Sequence, residues 1–226
     1  MSVVKISRTA LKAIALFQAD KDVRYYLNGV FVQSNEQQTR LCATTGHFLG
    51  LHRGDPCGEN VGAWSGIIPR DSVKTMLAWK APKYFNGADI VRLTVPDDYD
   101  TDTSMEVRAE FAGNICVFKT IDGRFPDYSR IIPTEVSGAV GQFNAEYLHT
   151  IQKACSILRG KDVYPAIAHN GDNGAYVAYD NFLAVVMPLR SDKVPVPDVA
   201  DIAWGREPLP VADVPADETT ETVTKI

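Results

Sequence analysis

His47, in the run Thr44-Thr45-Gly46-His47, is the side chain best suited to proton transfer, and Asp22 or Asp127 could orient it. No nucleophile motif accompanies them, and the run has neither phosphate-loop nor metal-ligand spacing. Catalysis is therefore not expected, and neither is a cofactor or a metal. His149 reads as a helix-surface residue. A second cluster, Arg24-Tyr25-Tyr26, has the chemistry to stack on unpaired bases and pair with a phosphate. The same run also fits a half-buried aromatic strand pair. Lys21 beside it is a further candidate phosphate contact. Cys42, Cys57, Cys116 and Cys155 stand apart, without metal-type or disulfide-dense spacing, and read as free thiols of a reducing cytoplasm.

The elements that must hold these residues follow from periodicity. Ser7 can cap a helix over about 8–21, with Leu11, Ile14 and Ala15 on one face. A second helix follows Pro69 and places Val73, Met76 and Leu77 as a buried stripe. A third begins after Asn144, aligns Leu148, Ile151, Cys155 and Leu158, and ends at Gly160. Strand-like runs follow each helix: 23–33 and 39–52 around "SNEQQ", 88–96, 105–111 and 115–121, then 162–169 and 175–189 around "NGDNG". Met105, Val107, Ala109 and Phe111 alternate with charged residues, as a half-covered strand requires.

The same order thus recurs three times, at about 1–62, 63–122 and 134–190. Strands with one apolar face, together with these helices, indicate an α+β architecture of antiparallel sheets outside and helices inside. The polar "DDYDTDTS" joins two strands of the second unit. Residues 191–226 contain five prolines and eight acidic side chains against three basic ones, which reads as an extended acidic tail.

The net charge of −5 sits entirely in that tail, so 1–190 is neutral by formal count. Within the neutral body, basic residues concentrate on the helices: Arg8, Lys12 and Lys21; Arg70, Lys74, Lys80 and Lys83; Lys153, Arg159 and Lys161. Helices covering one sheet face would gather them on a surface suited to phosphate contacts, or they form an ordinary solvated helix surface. No apolar run approaches the roughly 18 residues of a membrane span. The start lacks the charged-then-apolar pattern of a secretory signal.

Several motifs resemble the bacterial DNA polymerase III β sliding clamp family. "DVRYYLNGVFV" (22–32) and "LCATTGHFLGLH" (41–52) are similar to adjacent strands of that clamp's middle domain, and "IIPRDSVKTML" (67–77) to its next strand-to-helix step. "TIDGRFPDYSRIIP" (120–133) resembles the linker to the last domain, "GQFNAEYLHTIQKA" (141–154) that domain's second half, and "VVMPLR" (185–190) its C-terminus. The resemblance implies a DNA-clamp fold. It divides the chain into a complete clamp-like domain over 1–122, a linker over 123–133, half a clamp domain over 134–190 and the tail over 191–226. A family protomer has three domains, so the first one is expected to be missing.

The resemblance also implies a peptide-docking pocket. Its walls would be Leu27, Thr44, Gly46, His47, Phe48, Leu49, Pro126, Arg130, Ile131, Asn144, Tyr147, Val185, Met187, Pro188 and Arg190. Leu, Ile, Val and Met suit an apolar anchor site, while His47, Asn144 and Arg130 can hold a peptide backbone. Thr45 and Phe48 stand where the family motif has Asp and Arg, which makes this wall more apolar. The expected DNA contacts, from the helix charges and the strand end at 24–26 that the resemblance places beside DNA, are Arg8, Lys12, Lys21, Arg24, Tyr25, Tyr26, Arg70, Lys74, Lys80, Lys153 and Arg159. The expected function is a cytoplasmic processivity factor, assembled as a homo-oligomer such as a tetramer, that binds double-stranded DNA and DNA polymerase. The alternative is an adaptor that keeps the pocket without enclosing DNA.

Overall fold

The computed structural model describes residues 2–35, 37–54, 63–96 and 104–190, together with Ala200. Cys57, the 97–103 part of the "DDYDTDTS" loop and the tail's apolar anchors Ile202, Trp204 and Leu209 lie outside the described residues. The chain divides into two units, Met1–Lys193 and Val194–Ile226, and the architecture below belongs to the first.

Two antiparallel sheets and three α-helices share the core. Strand β1 (Ser2–Ser7) runs into α1 (Arg8–Ile14), then β2 (Gly29–Ser34), β3 (Thr39–Thr44) and β4 (Phe48–Gly54). The order repeats as β5 (Trp64–Pro69), α2 (Arg70–Ala78), β6 (Ile90–Val95), β7 (Glu106–Phe111) and β8 (Asn114–Lys119). The third unit supplies α3 (Ala145–Arg159), β9 (Ala175–Tyr179) and β10 (Phe182–Val186). One sheet has the order β1-β6-β7-β8, the other β5-β2-β3-β4-β10-β9. The first two units therefore exchange strands, β1 pairing with β6 and β5 with β2, while the third extends the second sheet through β4 and β10.

Local chemistry sets the helix starts. Ser7 Oγ accepts from Ala10 N at 3.2 Å, and Asn144 Oδ1 from Glu146 N at 2.9 Å. Gly160 ends α3 with φ +68, the left-handed C-cap that glycine adopts without a Cβ clash. The buried stripes, Ala10, Leu11, Ala13 and Ile14 on α1, Val73 and Met76 on α2, Ile151, Ala154 and Cys155 on α3, meet in one cluster with Phe17, Leu93, Val107 and Phe182. Gly50 permits a close approach in this core, because a Cβ there would stand 2.5 Å from the Phe17 ring.

Five expectations are corrected. The first helix stops at Ile14 and tightens into a 3-10 turn over Ala15–Phe17 instead of continuing to residue 21. Arg70 Nη1 takes the carbonyls of Gln18 and Ala19 at 3.4 and 3.0 Å, which holds the chain out of the helix, and Lys21 turns it with φ +56. Tyr25–Leu27 form a 3-10 turn, so the strand expected from residue 23 begins at Gly29. The run 39–52 is two strands hinged at residues 45–47. The hairpin after β7 turns on Ala112 and Gly113, with φ +50 and +83, so the strand expected from residue 115 begins at Asn114. The run 162–169 contributes one isolated bridge, Ala168 to Tyr176, since Pro165 has no N–H for a ladder.

Candidate functional site

The turn between β3 and β4 is assembled from its own side chains. Thr44 Oγ1 donates to the Phe48 carbonyl at 2.8 Å and accepts from Gly46 N at 2.9 Å. Gly46 has φ +91, and a Cβ on it would sit 2.8 Å from Arg24 Nη1. The Arg24 fork pairs with Asp22, Nε to Oδ1 at 3.0 Å and Nη2 to Oδ2 at 2.7 Å, and Nη2 also donates to the Thr45 carbonyl at 2.9 Å. Those hydrogen bonds from Arg24 hold the Asp22 carboxyl down at about 2. Arg24 thus clasps the turn that presents His47.

The second wall comes from the other end of the chain. Strand β10 pairs with β4 so that Val185 faces Leu49 and Val186 faces Phe48. Met187 N donates to the His47 carbonyl at 2.9 Å and continues the ladder past the strand end. Tyr147, one turn into α3, stacks on Phe48 with ring centroids 4.4 Å apart and planes 11° from parallel. His47 lies over the same tyrosine at 6.3 Å and 13°. At Gly174 an added Cβ would meet Val185 Cγ1 at 3.3 Å, Met187 Sδ at 3.4 Å and the Ile131 carbonyl at 3.8 Å, so these three residues also converge. Met187 and Ile131 each leave 43% of their surface in solvent and Leu189 leaves 37%, an apolar rim next to the buried Phe48.

The remaining pocket residues occupy different settings. Leu27 and Leu49 are buried in a smaller core cluster with Cys42, Ile67, Phe125 and Tyr128, beneath the turn rather than on its surface. Asn144 spends its side-chain oxygen on the α3 cap. Pro188 is half-buried near Gly141, and Arg190 is exposed. Arg130 is exposed and pairs with Asp127 at 3.2 Å. Pro126 lines a separate cavity of about 450 Å³ between residues 123–129 and the outward side of β2, β3 and β5. Sequence reasoning missed that cavity. Phe31 stacks on Phe125 at 4.8 Å and 3°, and Tyr128 Oη donates to Gln33 at 3.1 Å while accepting from Arg40 at 3.3 Å. The alternation of Phe31 and Gln33 with buried Val30 and Val32 is the signal that marks that face.

The basic residues divide into free and committed groups. Lys12 on α1, Lys80 after α2 and Lys153 on α3 are exposed, as is Lys21. Lys74 is exposed too, with an i,i+3 contact to Asp71 at 3.4 Å that is worth little at the surface. Arg8 instead closes the C-terminus of α2, donating to the carbonyls of Met76, Leu77 and Trp79 and pairing with Asp89. Arg70 holds the carbonyls after the first helix, as described above. Arg159 bonds Tyr179 Oη and pairs with Asp180 at 3.5 Å, which raises its already high pKa. Tyr25 is exposed and packs edge-on against Tyr26 at 5.8 Å.

Cys42 and Cys155 are buried and their thiols pushed up by desolvation, Cys155 to about 11, so neither is a poised nucleophile. Among the described residues no group of His, Cys, Asp and Glu could hold a metal ion. Among them, too, no helix is long and apolar enough to cross a membrane.

The chain is similar to several known proteins. The beta sliding clamp of Escherichia coli strain K12 is 32% identical over 124 residues, covering 54% of this chain and 30% of that protein. The beta sliding clamp of Vibrio cholerae is 24% identical over 196 residues, covering 85% of this chain and 47% of that protein. The chain therefore spans between about a third and a half of the length of these curated relatives. Among solved structures, the DNA polymerase III subunit beta of Pseudomonas aeruginosa superposes with a TM-score of 0.63 at 18% identity, over 84% of this chain and 66% of that one. The Thermotoga maritima beta subunit gives 0.61 at 15% identity, over 83% and 65%. These two likenesses establish the clamp fold, α+β with antiparallel sheets and helices in repeated units. The model of the DNA polymerase III beta subunit central domain matches residues 4–127, more than half of the chain, and on that ground the protein belongs to the sliding-clamp family.

Proposed function

We propose that this chain is a processivity factor: a non-catalytic platform that tethers DNA polymerase and other replication proteins to double-stranded DNA, without reading its sequence. Partners dock through short peptides with apolar anchors at the seam between β4 and β10. The observation that carries this reading is the joining of two walls from distant parts of the chain, Val185 against Leu49 and Tyr147 stacked on Phe48. Exposed Met187 and Ile131 beside them give the unbranched and branched apolar surface that a peptide anchor needs. The exposed His47 side chain supplies a polar contact for the peptide backbone.

The domain reading remains part of the proposal: a complete clamp domain over 1–122, a linker over 123–133, half a domain over 134–190 and a tail over 191–226. Topological tethering would require several copies. Exposed Lys12, Lys21, Lys80 and Lys153 would make phosphate contacts by charge alone, so affinity for DNA should fall steeply with salt. The test is retention on circular against linearised DNA. Encirclement predicts salt-sensitive retention on the circle that disappears on linearisation.

A second reading, an adaptor that binds clamp-docking peptides without enclosing DNA, is favoured by one observation. Arg8 and Arg70, two of the expected DNA contacts, spend their donors on carbonyls inside the fold. Peptide binding with no preference for circular DNA would establish this second reading in place of the first.

A further inference from the structure

Strand β8 is an open sheet edge with an unusual face. Its turn residues Ala112 and Gly113 make a two-residue hairpin, so Asn114 faces Phe111 as the closing hydrogen-bonded pair. Hydrogen-bonded pairs then recur at every second residue, and Thr120 N donating to the Met105 carbonyl at 2.8 Å fixes the phase. Asn114, Cys116 and Phe118 therefore spend their backbone groups on β7. Ile115, Val117 and Lys119 aim theirs away from the sheet, and among the described residues no strand takes them up. On the same strand the Ile115 and Val117 side chains are 52% and 53% exposed. A bare ladder beside exposed β-branched side chains is a pairing template that soluble proteins ordinarily blunt.

Two of the other sheet edges are already engaged by the chain itself. Ile121 N donates to the Ile67 carbonyl on β5, and Ala168 exchanges both backbone bonds with Tyr176 on β9. A head-to-tail union of β8 with β9 is thus obstructed at Tyr176, near the start of β9. A second copy offers the same open β8 edge, where among the described residues no such engagement stands in the way.

We propose that two copies of this chain pair antiparallel through β8, about a two-fold axis at Cys116. In this register Ile115 lies opposite the partner's Val117 and exchanges both backbone hydrogen bonds with it, and the reciprocal pair does the same. The outward face gains a continuous patch of four β-branched side chains, the kind of cross-strand contact that stabilises a sheet. Charge placement selects the register. Lys119, the charged residue of the strand, meets the partner's Gly113, so like charges stay apart and Lys119 keeps Glu106 of its own hairpin opposite. An axis at Val117 would instead set Lys119 against the apolar Ile115 of the other copy. At the chosen axis the two Cys116 residues form a non-hydrogen-bonded pair, whose Cα atoms approach to about 4.5 Å, within reach of a disulfide.

The proposal supplies the assembly that encirclement requires, and in that respect rests on the clamp reading. Light scattering on the full chain with a Cys57→Ser change should report an even multiple of 24.8 kDa. Val117→Lys, at an exposed position, should halve that mass while leaving the circular dichroism spectrum unchanged. Mild oxidation should give a covalent dimer on denaturing gels that vanishes with Cys116→Ser, without loss of the non-covalent oligomer. A monomer throughout would overturn both this pairing and encirclement. An oligomer unaffected by Val117→Lys, or one that cross-links through Val117→Cys but not through Cys116, would overturn the pairing and leave the clamp reading intact.

Discussion

Strands β4 and β8 hold the same place in successive repeats, yet they end in opposite circumstances. Each is the last strand of a strand–helix–three-strand unit. Strand β4 begins with three buried residues, Phe48, Leu49 and Gly50, and is sandwiched between β3 and β10. Strand β8 alternates half-buried and exposed residues and has β7 on one side only. Both sequences are apolar in consecutive positions, "FLGL" and "ICVF". In β4 the third repeat covers what the sequence offers; in β8 Cys116 and Phe118 pack inward, while Ile115 and Val117 stay exposed. Neighbouring apolar residues on a strand therefore mark a site meant to be covered, and the fold decides whether the cover comes from the same chain.

The largest effect expected from breaking this contrast is at the covered strand. Phe48→Ala should destabilise the fold by about 3–5 kcal/mol, because Phe48 packs between Phe17 and Tyr147, and urea unfolding would measure it. The matching change at the open strand, Val117→Lys, should leave the unfolding free energy of dilute protein within about 0.5 kcal/mol. Comparable losses at both positions would erase the distinction. Next in size is the cap that orients Tyr147. Asn144→Ala should cost about 1 kcal/mol and weaken peptide binding at the seam, with Asn144→Ser recovering most of both.

Smaller effects should follow at the Arg24 clasp. Arg24→Ala should lower peptide affinity several-fold by loosening residues 45–47, while the salt dependence of DNA binding stays unchanged. A reduced salt slope would show that Arg24 meets phosphate instead. The clasp also carries a pH signature. Asp22 is held at about 2 against an ordinary 3.8, so its favourable contribution is fully present above pH 3.8 and is lost as pH falls through about 2. The Gly46 amide resonance should titrate with a midpoint near pH 2. A midpoint near 3.8 would mean that the Arg24–Asp22 pair does not form in solution.

Much of this arrangement was legible in the sequence where local chemistry decides it. Asn144 and Gly160 bracket α3, Ser7 starts α1, and the alternation from Met105 to Phe111 gives β7 its buried face. Reading failed where distant parts act on one another. Nothing near residues 15–21 announces that Arg70 would draw off the carbonyls of Gln18 and Ala19 and end the helix early. Nor does Arg8 show locally that it closes α2, some seventy residues away along the chain. At the candidate seam, the resemblance named both walls, but the stacking of Tyr147 on Phe48 depends on a position where the family motif carries arginine. The cavity beside Arg40 and Tyr128 escaped for a related reason: its lining comes from three strands and residues 123–129, whose contact is tertiary.

The most direct test of the docking platform is a fluorescence-anisotropy titration with a labelled peptide from the clamp-docking segment of a bacterial replicative polymerase. The intact chain should bind it saturably. Met187→Glu, which places a charge on the apolar rim without touching the buried ladder, should abolish binding, whereas Val117→Lys should leave it unchanged. Binding that survives Met187→Glu, or no binding by the intact chain, would contradict a peptide site at the β4–β10 seam.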